Sequence, residues 1–194
     1  DDFKFDTSYR EKWRKKLELG DAVTYIHVGR FYEQKNHKFL VEIFAEIRKK
    51  QPNSKLILVG EGPLQSDIKE LVRKLGVSDS VIFLGSISWV NEILSAADVF
   101  ILPSLFEGLP VVGVEAQTAG LPTFYSAELG NEIEVTDYIY PISLNASAEE
   151  WSEKILSRQP FEIDRFSGAK KVYDAGYDAV SCAKEIEEIY VNYA

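Results

Sequence analysis

One stretch constrains this chain more than any other: residues 98–122, reading DVFILPSLFEGLPVVGVEAQTAGLP. Val99-Phe100-Ile101-Leu102 is a short, unbroken apolar run bounded by Pro103, the pattern of a strand buried on both faces of a parallel sheet. A polar loop follows. Pro110 suits the first position of a helix, where its missing N–H would have no partner anyway, and Gly120 with Pro122 closes that helix. Leu121 to Tyr125 then opens a further strand, so the unit is strand, loop, helix, strand.

Two glutamates lie inside it. Glu107 sits in the loop and Glu115 about one and a half turns into the helix, roughly 7 to 8 Å along the axis from Pro110. One ligand lying over the helix start would touch both carboxylates, with hydroxyl-rich groups at its two ends. Between them the helix N-terminus offers unpaired N–H groups and positive dipole, which suits an anion. A sugar, a phosphate and a ribose fit that order. Each glutamate alone has a plainer reading, as a dipole-complementing or solvent-facing side chain. Glu115, however, is set among Val111, Val112, Val114, Ala116 and Ala119, where an unpartnered carboxylate is costly to bury.

The rest of the chain repeats the strand-helix alternation. Strands are expected at Ala22–Val28, Lys55–Val59, Val81–Leu84, Val99–Leu102, Leu121–Tyr125 and Tyr138–Ile142. Helices fall between most of them: His37–Lys50 on its apolar period, a segment from Pro63 to Leu75, and Trp89–Ala97. A first helix begins at a capping box Ser8–Glu11, and a second box at Ser147–Glu150 opens a helical C-terminal part. Gly168 and Gly176 break that part, and a last helix is expected over Asp178–Tyr193. Such alternation implies right-handed crossovers and an α/β fold: a doubly wound, Rossmann-like parallel sheet of about six strands with additional C-terminal helices.

Ligands of open parallel sheets bind outside the carboxyl ends of the strands. The first strand delivers Gly29, Arg30 and Lys35 to that edge. A glycine there lets backbone approach a phosphate, and Arg with Lys supplies a fork and a point charge; ordinary loop cations are the competing reading. Gly60-Glu61-Gly62-Pro63 lacks the third glycine of a dinucleotide fingerprint, Gln65 standing in its place, so tight-turn chemistry explains it better.

Composition removes other classes. A net charge of −9, with no basic run longer than Arg14-Lys15-Lys16, argues against nucleic acid. One cysteine, Cys182, excludes an internal disulfide, and two histidines, His27 and His37, make no zinc cluster. No apolar run is long enough to cross a bilayer, and the N-terminus lacks a signal pattern, which points to a reducing, cytoplasmic setting. The 194 residues suit one domain, and the absence of methionine suggests a piece of a longer polypeptide.

Taken in order, VGR with a following Lys, VGEGP, VIFLG, AADVFILPS and EGLPVVGVEAQTAGLP form a set. The set resembles the C-terminal donor-binding half of retaining glycosyltransferases of the GT-B fold, family GT4, in the form that builds bacterial capsule, exopolysaccharide and lipopolysaccharide. The resemblance covers residues 22–142 well and the flanking helices loosely. It implies that Arg30 and Lys35 hold the donor diphosphate with Gly29 allowing close approach, and that Leu84, Ile87 and Val90 wall the base. By the same resemblance Glu107 binds the transferred sugar and Glu115 the ribose, while Gly108, Leu109 and Val111 lie along the main chain facing sugar and phosphate. Many members read Gly-Phe-Gly after the first glutamate; here it is Gly108-Leu109-Pro110, and Pro110 donates no N–H.

The implied reaction moves a sugar, of hexosyl type, from a nucleotide diphosphate sugar to an acceptor hydroxyl with retention, the departing diphosphate taking the acceptor proton. Arg30, Lys35 and Glu107 are the residues expected to carry it. A UDP-sugar is favoured over GDP- or ADP-sugars, with no tightly bound cofactor and no metal. The acceptor, a saccharide or a lipid-linked one, would sit on a preceding domain absent here, so the chain alone should bind donor without catalysing transfer. Family members also dock on the inner membrane face. Two alternatives stand beside this: a half-domain of nucleotide-sugar 2-epimerase type, and a non-enzymatic doubly wound regulatory module. The second would need an acidic cluster at strand ends where this chain has Gly29-Arg30 and Gly85, and a lysine where it has Ser126.

Overall fold

The computed structural model describes residues 2–177, 183 and 187–190. In order, the elements are α1 (Thr7–Lys16), β1 (Val23–Val28), α2 (His37–Lys50), β2 (Ser54–Val59), α3 (Gln65–Lys74), β3 (Val81–Gly85), α4 (Val90–Ala96), β4 (Val99–Leu102), α5 (Val111–Thr118), β5 (Thr123–Ser126), β6 (Ile139–Ile142), α6 (Ala148–Ser157) and α7 (Gly168–Asp174). The six strands form one parallel sheet in the order β3-β2-β1-β4-β5-β6. The doubly wound sheet read from the alternation is therefore present, and its strand order reverses direction between β1 and β4.

Strand composition follows from burial on both faces. Along β4, Val99 and Ile101 enter one core while Phe100 and Leu102 enter the other, and Leu56, Ile57 and Leu58 alternate likewise on β2. Side chains two apart share a face, so a strand covered on both sides reads as a nearly continuous apolar run, with buried polar exceptions such as His27. One core lies under α2, α3 and α6, built on Leu40, Ile43, Phe44, Ile47 and Trp151. The other holds Trp13 of α1, Ile93 and Leu94 of α4, and Ala116 of α5.

Several boundaries differ from expectation for local reasons. The first helix is capped by Asp6, not Ser8: its Oδ1 accepts from the N–H groups of Ser8 (2.7 Å) and Tyr9 (3.2 Å). A carboxylate two residues upstream wins because it pairs with both orphan donors and the positive helix end. Pro110 stands at the N-cap of α5 rather than inside its first turn, with ψ at 84°. Gly168 begins α7 rather than breaking a helix, because a Cβ there would lie 2.6 Å from the carbonyl of Gln117. The box at Ser147–Glu150 is made as expected. The helix expected over 178–193 falls outside the described residues, apart from 183 and 187–190.

The Gly60–Gly62 turn shows why glycine is used there. A Cβ on Gly60 would sit 2.1 Å from the carbonyl oxygen of Gly29, and one on Gly62 would sit 2.6 Å from that of Phe31. Strand pairing also continues past the strand ends, through Gly29 N–H to Val59 O (2.9 Å), Phe31 N–H to Glu61 O (3.0 Å) and Gly60 N–H to Gly85 O (2.8 Å). The loops after β1, β2 and β3 are thus held in register at the carboxyl edge.

On the other side of the switch point, buried Gln117 secures α5. Its Nε2 donates to Gly113 O and Ile133 O, and its Oε1 accepts from the N–H groups of Val135 and Thr136 and from the Thr136 hydroxyl. Gly113 completes the contact, since a Cβ there would meet Ile133 Cδ1 at 2.3 Å. Gln117→Leu would leave several of these groups buried without partners, each costing about 1–3 kcal/mol. We expect a stability loss of about 3 kcal/mol in urea unfolding; a loss below about 0.5 kcal/mol, the range of a neutral surface change, would contradict this assignment.

Candidate functional site

The reversal between β1 and β4 places the loop after each strand side by side at the carboxyl edge, where crevices of open sheets form. The β1 loop runs through a short 3-10 turn, Glu33–Lys35, into Asn36, which takes a left-handed conformation (φ 53°) before α2. Asparagine tolerates that region better than most residues. The β4 loop runs from Pro103 to Pro110.

The two loops are joined at five places. Asn36 Nδ2 donates to Pro103 O (3.1 Å), the Leu105 N–H donates to Gln34 O (2.8 Å), and Gln34 Nε2 donates to Phe106 O (2.9 Å). The fourth is an ion pair: Lys35 Nζ stands 2.5 Å from Glu107 Oε1. Those side chains are only 17% and 9% exposed, so the pair is shielded far more than an ordinary surface bridge. The Gln34 amide also reaches Glu107 Oε2 at 3.5 Å.

Beneath Lys35 lies a layer without charge. The buried His27 ring on β1 donates through Nδ1 to Ile101 O at 2.8 Å, since a carbonyl can only accept. His37 stacks on Phe31 with ring centroids 4.0 Å apart and meets His27 edge-on at 4.8 Å. Burial, reinforced by the neighbouring His37 ring, holds the pKa of His27 well below that of a free imidazole. Burial and the Lys35 ammonium together press His37 down to about 4. Both rings are neutral near pH 7, and Lys35 supplies the positive charge above them. The position of Gly29 fits the same packing: a Cβ there would stand 2.9 Å from His27 Nε2 and 3.1 Å from Cγ and Cδ of Lys35. Glycine at 29 lets the lysine stem lie across the end of β1.

Arg30 belongs to the same loop and is exposed, with its guanidinium 5.1 Å from the centre of the Tyr32 ring. Glu115 lies on the second turn of α5, partly buried, on the wall of a crevice of about 340 Å³ with Leu109, Val111, Val114 and Thr118 on its own side and Val172 and Tyr173 of α7 opposite. Burial alone raises its pKa. Of the four charged residues singled out from the sequence, the structure joins Lys35 and Glu107 directly; Arg30 shares the loop of the first, and Glu115 the helix entry of the second.

The remaining candidates line the same edge. Gly108 is exposed, Leu109 and Val111 stand out at 46% and 59% exposure, and no side chain caps α5 at Pro110. Leu84 at the end of β3, Ile87 in the following loop and Val90 at the start of α4 are half-buried against the α1-side core. With β3 two strands from β1, that wall stands about 10 Å from the switch point. Gln34 and Asn36 were not singled out from the sequence, where they read as polar residues in a polar loop; only the αL tolerance of Asn36 carried any signal.

Comparison with known proteins identifies the family. A family model described as glycosyl transferases group 1 matches residues 9–158. The chain is 38% identical over 130 residues to the putative glycosyltransferase EpsF of Bacillus subtilis, covering 66% of this chain and 34% of that protein. It is 28% identical over 184 residues to an Escherichia coli UDP-Gal:alpha-D-GlcNAc-diphosphoundecaprenol alpha-1,3-galactosyltransferase, covering 89% of this chain and 46% of the other. The crystal structure of Anabaena HepE in complex with UDP superposes with a TM-score of 0.84 at 20% identity, over 98% of this chain and 54% of that one. The chain thus spans between a third and about half of these proteins. Its six-stranded parallel sheet is that of the GT-B glycosyltransferases, and the match over residues 9–158 shows that the chain belongs to the glycosyl transferases group 1 family.

Proposed function

We propose that this chain is the donor-binding half of a retaining, hexosyl-type glycosyltransferase that acts in bacterial surface polysaccharide assembly. The observation that carries the reading is the placement of Lys35 and Glu107 against each other at the switch point, beside an α5 start that no side chain caps. A nucleotide diphosphate sugar laid along the edge has its base at Leu84, Ile87 and Val90. Its diphosphate lies between Arg30, Lys35 and the first N–H groups of α5, its ribose at Glu115 and its sugar at Glu107. Gly29 serves this arrangement through the lysine stem it admits, and Gly108, Leu109 and Val111 line the sugar end. UDP is the favoured nucleotide, in keeping with the UDP held by the Anabaena relative and the UDP-galactose named for the E. coli one.

The chemistry breaks the bond between the anomeric carbon and the diphosphate oxygen and forms one to the acceptor oxygen on the same face. The acceptor proton passes to the departing diphosphate. Charge accumulates on that leaving group, so fixed cations and helix N–H groups aimed at it stabilise the transition state more than the ground state. The acceptor, a saccharide or a lipid-linked one, is held by another part of the full protein, which docks peripherally on the inner membrane face. This chain alone binds donor and does not turn over. Among the described residues no helix is long and apolar enough to cross a membrane.

Calorimetric titration with UDP, GDP and ADP tests the placement. One of the three, UDP by preference, should bind the parent chain, and Arg30→Ala and Glu115→Ala should each weaken it about tenfold or more, the usual effect of losing a charge-assisted hydrogen bond. No binding by any nucleotide, or unchanged binding by both variants, would overturn the reading.

Burial of Glu115 adds a pH test. A ribose hydroxyl donates to the carboxylate, so binding favours the ionised form, and affinity falls as pH drops through a pKa that burial has raised. With UDP-glucose, whose diphosphate does not itself titrate there, affinity should weaken as pH falls from neutral through that raised pKa, and Glu115→Gln should flatten that dependence. A parent that is flat, or a Gln variant as steep as the parent, would contradict the ribose assignment.

A further inference from the structure

Lys35 and Glu107 occupy each other in this structure, although the proposed function asks each to serve the donor. Both are held close together by their neighbours. The lysine stem lies over Gly29, where a Cβ would stand 3.1 Å from its Cγ and Cδ. The glutamate loop is tied to the Gln34–Asn36 segment by four further hydrogen bonds from or to that segment. The pair is therefore preformed, and an incoming diphosphate must share one ammonium with a carboxylate that is 9% exposed.

The energetics of that sharing depend on what the diphosphate carries. Two anions around one ammonium repel each other, and a shielded carboxylate deprived of its cation needs replacement donors. A donor with its sugar attached brings them, because sugar hydroxyls can donate to Glu107 as it gives up Lys35. A bare nucleoside diphosphate brings none. The same residue then favours the loaded donor and opposes the spent one.

The geometry points to Glu107 as a specificity-determining competitor for Lys35: the ion pair yields to a nucleotide that presents sugar hydroxyls, and re-forms against the nucleoside diphosphate once the sugar has left. The inference rests on the nucleotide-sugar reading above and adds a device for discriminating substrate from product. Its signature is a gain of affinity on removing a residue of the site. A carboxylate that only binds sugar would leave nucleoside diphosphate binding unchanged, and one that only positions Lys35 would weaken it when lost.

The test is calorimetry at one pH with UDP and UDP-glucose, or the corresponding pair for whichever nucleotide binds the parent, on Glu107→Gln and Glu107→Ala. Freed from its competitor, Lys35 should bind the nucleoside diphosphate about fivefold tighter in both variants, the scale of a partly shielded ion pair. The nucleotide sugar should gain nothing, so the preference for it over the nucleoside diphosphate shrinks. Loss of folding cannot produce a gain of affinity, and if one variant does not fold the other decides. A parent that binds nucleotide with variants that bind the nucleoside diphosphate equally or more weakly overturns the competitor role alone. No nucleotide binding by parent or variants overturns the nucleotide-sugar reading and this inference with it.

Discussion

The ion pair between Lys35 and Glu107 is the interaction around which the carboxyl edge is arranged. It joins the loop after β1 to the loop after β4, the two strands between which the order of the sheet reverses. At such a reversal the helices leave the sheet on opposite faces, and the loops part to give a crevice. A shielded pair across that crevice is stable only because each partner is held by its own neighbours, the lysine stem over Gly29 and the carboxylate loop by Gln34 and Asn36. Neutral imidazoles beneath keep a second positive charge out of the layer.

The elements behind the edge serve its rigidity. Turns after β1, β2 and β3 interlock through backbone hydrogen bonds and through glycines that admit another chain at contact distance. Gln117 and Gly113 hold α5 to the segment after β5, fixing the direction of its start. A helix start without a capping side chain leaves its first donors to solvent or to a ligand, and here it follows directly on the loop that carries Glu107. Membership of the glycosyl transferases group 1 family gives this arrangement its chemical context.

The fold was legible in the sequence because each strand is a short apolar run with both faces covered, a signal that survives single polar exceptions such as His27. Glu107 and Glu115 drew notice by their spacing about the α5 start and Lys35 by its place after β1, each beside a plainer reading as an ordinary surface charge; the pairing of Lys35 with Glu107 is visible only in the fold. Gln34 was not, since its role depends on a carbonyl some seventy residues away, and nothing local distinguishes it from solvent-facing loop polarity. The start of the first helix was misplaced for a related reason. Ser8 and Glu11 match a capping box in spacing, but Asp6 stands where its single carboxylate oxygen meets two backbone donors. The Gly60–Gly62 turn was read correctly as turn chemistry, although its cause, contact with the backbone of Gly29 and Phe31, is tertiary.

The central claim is that a nucleotide diphosphate lies along this edge, from the end of β3 to the start of α5. Its most direct test is a backbone amide NMR titration of the chain with UDP. The account predicts shifts confined to residues 29–36, 84–90 and 107–116, together with the backbone that pairs with them. Shifts centred instead on the opposite edge, around the starts of β1 and β4, or an unperturbed spectrum at saturating nucleotide, would contradict it.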